Sequence, residues 1–245
     1  MASSIRAKQI IEGPPPLLQV GPYHTESVAI QCISYSGALI PWNNSLRSVQ
    51  STHLSQKWAR CSKTPSHANG PHTLEPVRVH IGDKHGLQGC FQQAIGHALG
   101  AALEAKSVNL YFGDFKCSGS DYQNIPDVVA LQDGIARTSI KLIGELKVPW
   151  VAAHDLHTAA QDEDSLRRKV AQPVRDMQQL GCEYGFISTY EHTIFLRQFQ
   201  SPGGRWEVWY SPPISSLAYY AITTLRNQGT QNALPQVSMK QFWLV

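Results

Sequence analysis

The chain has 245 residues, is 42% hydrophobic and 16% charged, and carries a formal net charge of +3. That is enough apolar material for one domain of about 150–200 residues plus an extension, and it excludes wholesale disorder. No apolar run reaches the roughly 18 residues of a membrane span, the start has no secretory apolar stretch, and so small a charge does not by itself point to nucleic acid. The expectation is an intracellular protein, cytoplasmic or nuclear, without a membrane partner. Five cysteines without a CxxC pair suit reduced thiols.

Residues 1–75 read as an irregular, Pro-rich N-terminal extension, punctuated by PPP at 14–16, NNS at 43–45 and TPSHANGP at 64–71. Only Ser27–Ser34 and Ala38–Trp42 are apolar enough for strands, so removing the segment is expected to leave the rest able to fold. Regular patterning marks a domain over 76–230, followed by a C-terminal tail, 231–245. Leu87, Phe91, Ile95, Leu99 and Leu103 recur at helical steps and predict a helix from about Leu87 to Lys106. Strands are predicted over Val108–Phe112, Ile125–Leu131 and Ser139–Val148. A second helix should run from about Asp164 to Leu180, with acids at its positive end, Gly181 as its stop and a kink at Pro173. Strands Tyr184–Thr189, Thr193–Phe199 and Trp206–Tyr210 and a helix over Ser215–Asn227 complete an α/β arrangement with a central sheet flanked by helices.

The informative residues sit on the strand pair 125–131 and 139–148. Alternation puts Ile140, Leu142, Gly144, Leu146 and Val148 on one face, and Lys141, Ile143, Glu145 and Lys147 on the other. An acid in so apolar a strand is costly unless it is paired or binds a metal. Across a hairpin Asp127 can meet Glu145, and two carboxylates at one point call for a divalent cation. Without that cation they repel, so removing either acid is expected to leave the metal-free fold at least as stable.

IPDVVAL followed by GELK resembles the motif of the PD-(D/E)XK nuclease superfamily, and GCEYGFISTYEHTIFLRQ is similar to a group of fungal PD-(D/E)XK nuclease-like proteins. The resemblance spans about Leu87 to Tyr210. It implies a restriction-endonuclease-like core, a central mixed sheet in α-β-β-β-α-β order. It further implies that Asp127 and Glu145 hold Mg²⁺ or Mn²⁺ with the carbonyl of Leu146, that Lys147 orients water or stabilises phosphate charge, and that Gln172 stands beside the centre. The implied activity is metal-dependent hydrolysis of phosphodiesters, with DNA ahead of RNA as substrate and partner. Arg168 and Arg175, on one helical stripe with Gln172, are candidates for the nucleic-acid backbone. Many superfamily members add an acid from the first helix. Here Gln92 and Gln93 are neutral and Glu104 stands near the helix end, which favours one metal over two. The alternative is a degenerate member that keeps the fold and binds nucleic acid or a protein without cutting.

Overall fold

The computed structural model describes residues 15–26, 33–55, 79–134 and 138–215. In chain order these form β1 (Gln19–Val20), β2 (Ala38–Pro41), α1 (Ser45–Ser55), β3 (His80–Ile81), α2 (Lys84–Phe91), a π-helical segment (Gln92–Gly96) and α3 (His97–Ala105). Then come β4 (Tyr111–Gly113), β5 (Val128–Asp133), β6 (Thr138–Leu146), α4 (Leu156–Ala159), α5 (Glu163–Leu180), β7 (Tyr184–Ser188), β8 (His192–Gln200), β9 (Trp206–Tyr210) and β10 (Ile214–Ser215). The helix expected beyond Ser215 and the tail 231–245 lie outside the described residues.

The main sheet runs β2-β9-β8-β7-β6-β5-β4, with β10 also paired to β8. Along this path only β6–β7 and β2–β9 are parallel. Helix α5 lies in the connection from β6 to β7, as parallel neighbours require a crossover. The class is mixed α/β, a mixed central sheet flanked by helices. Leu87, Phe91, Ile95 and Leu99 pack on one face against Val128, Ala130, Leu142 and Phe186. Leu166, Val170, Val174 and Met177 of α5 cover the other, against Val129, Ile143, Ile187 and Ile194. Covered on both sides, β7 is buried along its whole length.

The first helix opens at Lys84, upstream of the expected start, because the Asp83 carboxylate caps it by accepting the Gly86 N–H at 2.8 Å. Beyond Ala105, Lys106, Ser107 and Val108 donate their N–H groups back to Leu103 and Glu104. That closure uses the residues predicted to begin the next strand, so β4 starts only at Tyr111. β5 likewise starts at Val128 rather than Ile125, since Pro126 offers the ladder no N–H. Helix α5 matches its predicted span to within one residue, with Asp162 as cap, Gly181 in the left-handed region at φ 64 and Pro173 inside it.

One register feature departs from simple alternation. Ala130 faces Leu142 but Leu131 faces Ile140, so Lys141 is an extra residue on β6. Such a bulge reverses the faces upstream of it, and Ile140 packs on the α5 side, not with Leu142. Downstream the alternation holds, leaving Glu145 on the face of Ile143. The glycine of GELK has a packing reason: a Cβ on Gly144 would run into the Phe186 ring.

Within the stretch expected as an extension, β2 is a border strand of the main sheet beside β9. Tyr35, just before it, is fully buried in the α5-side core. The Arg167 guanidinium ties the segment to α5, donating to the carbonyls of Tyr35 and Gly37 at 2.8 Å each. Among the described residues no helix is long and apolar enough to cross a membrane.

Candidate functional site

Val128 pairs with Gly144, so Asp127, one residue before β5, stands level with Glu145 near the end of β6. This is also the end at which the parallel strand β7 finishes. Asp127 Oδ2 accepts the Leu146 N–H at 2.7 Å, and its Oδ1 accepts from Gln88 Nε2 at 2.7 Å. Glu145 Oε2 accepts from Gln172 Nε2 at 2.8 Å, while Lys147 Nζ stands 2.9 Å from Glu145 Oε1 and 3.4 Å from Gln172 Oε1. Four residues singled out from sequence (Asp127, Glu145, Lys147 and Gln172) therefore meet, and Leu146 joins them through its N–H.

Two members of the cluster escaped the sequence reading. Lys84 Nζ lies 2.7 Å from Glu145 Oε1 and 2.8 Å from Asp127 Oδ2, between the two acids. Gln88 stands one turn further along α2. Their signal was an i, i+4 polar pair opening a capped helix, a pattern that surface helices also carry. The expected candidates on this helix are elsewhere. Gln92 donates to the Gly113 carbonyl at 3.4 Å. Glu104 is some twenty residues along the helical run from Lys84, a distance of about 30 Å at helical rise, and cannot be a third ligand. Gln88 occupies the helix position beside Asp127, and it is neutral.

The arginines on α5 part company. Arg168 is exposed. Arg175 Nε lies 3.3 Å from Asp176 Oδ1, an ion pair to a buried acid that also accepts from the Tyr122 hydroxyl at 2.6 Å. Further along the loop after β6, His154 Nδ1 meets the Val148 carbonyl at 3.0 Å, and Asp155 caps α4. Lys169, buried, donates to the Ala153 carbonyl. Trp209 packs edge-on to Phe199 at 5.0 Å within the sheet.

The acids are nearly closed off, with side chains 7% (Asp127) and 2% (Glu145) exposed, against 38% for Lys84 and 12% for Lys147. Burial, and then the charge of Glu145, push the Asp127 carboxyl up to about 6, although Lys84 and the Leu146 N–H pull the other way. Burial works against the Lys84 charge, yet Glu145 and Asp127 together outweigh it and hold that ammonium above its ordinary range.

The Asp127 shift has a testable sign. The native state keeps this proton to higher pH than the unfolded chain, so the unfolded state ionises first as pH rises. Below about pH 4 both forms are protonated; from there to about pH 6 the Asp127 contribution should lower stability by about 2–3 kcal/mol, then level off. Urea unfolding of metal-free protein across this window, with Asp127→Asn alongside, isolates the contribution. An identical slope in the variant would assign the pH dependence to other groups.

Among the described residues no group of three or more His, Cys, Asp or Glu side chains is placed to hold a metal ion. Two carboxylates are what the site offers. No family model, curated protein or solved structure matches the chain.

Proposed function

We propose that the chain is a divalent-metal-dependent phosphodiesterase with a restriction-endonuclease-like core of the PD-(D/E)XK type, acting on nucleic acid, DNA ahead of RNA. The observation that carries this reading is the convergence of Asp127 and Glu145 on one cationic point, with Lys147 and Gln172 alongside. The two acids are balanced by two ammonium groups, but only Lys84 bridges them, while Lys147 faces Glu145 alone. Two nearly buried acids facing the same cation are the arrangement that a doubly charged ion satisfies.

The donor set suits Mg²⁺ or Mn²⁺. The Asp127 and Glu145 oxygens that hold the Lys84 ammonium are hard ligands, and the Leu146 carbonyl is a further oxygen at the same strand end. A bound ion would polarise the scissile phosphate and lower the pKa of its water. The chain's own groups supply the rest. Gln172 fixes Glu145 by one amide hydrogen and faces Lys147 with its oxygen, so the Lys147 ammonium is aimed by two partners. So positioned, it neutralises negative charge developing on phosphoryl oxygens. Exposed Arg168, one turn before Gln172, suits a backbone phosphate.

Purified protein with Mg²⁺ or Mn²⁺ should nick plasmid DNA, and EDTA should abolish the activity. Lys147→Ala should slow cleavage by about 10²–10³-fold with metal binding retained, because an ammonium is no ligand. One observation favours a second reading, a non-catalytic binder: Lys84 and Lys147 together already balance the two acids, and Gln88 is neutral where a third acid would stand. Absence of cleavage on DNA and RNA, with no Mn²⁺ binding by calorimetry, would select it.

A further inference from the structure

We propose that Lys84 is the resident counter-ion of the metal-free site and that a divalent cation enters only by exchanging with it. The inference rests on the metal-dependent reading above.

Three observations carry it. The Lys84 ammonium is bound by one oxygen of each acid, the same two acids that would hold the metal. Every carboxylate oxygen of the pair already accepts at least one N–H: Asp127 Oδ1 from Gln88, Oδ2 from Leu146 and Lys84, Glu145 Oε1 from both lysines, Oε2 from Gln172. Asp127 Oδ2 and Glu145 Oε1, the oxygens that face each other across Lys84, each already accept two, so a cation bridging them has to break one of these contacts. Lys84 is the group free to leave. It is the most exposed of the four charged groups, it rides on the first turn of α2, and its flexible stem can swing into solvent without unpacking the core. Lys147 is far less exposed and is fixed by Glu145 and Gln172.

Charge gives the exchange its direction. With both lysines present the two acids are neutralised, so the metal-free site is closed and compensated. A divalent ion in place of Lys84 supplies one charge more than the departing ammonium, and that surplus suits a phosphate anion. Metal affinity is then the intrinsic affinity reduced by the fraction of molecules in which Lys84 is out.

Two measurements on the full chain test this. By calorimetry, Lys84→Met should bind Mn²⁺ more tightly than wild type by about tenfold or more, since its site needs no exchange. On the wild-type protein, Mn²⁺ should raise acylation of Lys84 by an amine-reactive reagent several-fold, read by peptide mass spectrometry, with Lys147 labelling unchanged. The second measurement decides the matter if the methionine variant does not fold. Mn²⁺ binding that leaves Lys84 labelling unaltered, or equal affinity of a folded Lys84→Met, overturns the exchange while sparing the metal site. No Mn²⁺ binding by either protein overturns both.

Discussion

Glu145→Ala is expected to reduce cleavage to background and to cost the metal-free fold about 3 kcal/mol as well. Simple repulsion between two acids suggests the opposite for stability, that losing one is harmless. The geometry changes the sign. Glu145 is the shared partner of two ammonium groups and of the Gln172 amide, with its own side chain 2% exposed. Its removal strands Lys147, which is 12% exposed, and leaves Gln172 without its acceptor. Lys84 contributes less to the loss, because it is part-exposed and can find water. Asp127→Asn should be much milder for stability: the amide oxygen can still accept from Leu146, and the acid it replaces is one whose charge burial disfavours. Both variants should be inactive. Urea midpoints of the two metal-free proteins make the comparison, and a Glu145→Ala midpoint equal to wild type would mean that the lysines are not held as the distances state.

Starting the chain at Trp42 is expected to abolish cooperative thermal unfolding. The sequence pattern places a boundary near residue 75 and predicts an autonomous remainder. Yet such a truncation removes β2 from the sheet and Tyr35 from the core, and frees the Arg167 guanidinium from two carbonyl acceptors. Tyr35→Ala alone should cost about 3–5 kcal/mol, the usual range for emptying a buried aromatic site. A chain beginning at Ile33 keeps these contacts and should retain a sharp transition. Calorimetric scans of the three proteins separate the outcomes, and a cooperative melt for the Trp42 start would restore the original boundary.

Which parts were legible follows from which forces act locally. Asp127 facing Glu145 could be read because a hairpin's period of two fixes faces. The apolar stripe of the first helix and the caps of α5 were visible for the same reason. Lys84 was not, since its role depends on a helix start meeting the end of a strand 61 residues away. The bulge at Lys141 leaves no mark in composition, so Ile140 was assigned to the wrong face. The strand at Ala38 could be read, but its place in the main sheet and the burial of Tyr35 could not, because a short strand among prolines and glycines is fixed only by a partner such as β9.

The two borders of the sheet have a consequence for behaviour in concentrated solution. β2 is four residues long and ends in Pro41; β4 is three residues long. Unpaired strand borders can recruit a second chain, and nature blunts them by shortness and by proline, which offers no donor. Here the two longest strands, β6 and β8, are interior, each hydrogen-bonded on both sides. Self-association edge to edge should therefore be slow while β2 stays docked. Loss of β2 would uncover β9, a five-residue strand rich in aromatic and branched side chains, as a fresh template. Aggregation on heating would then start from molecules that have lost that one short segment.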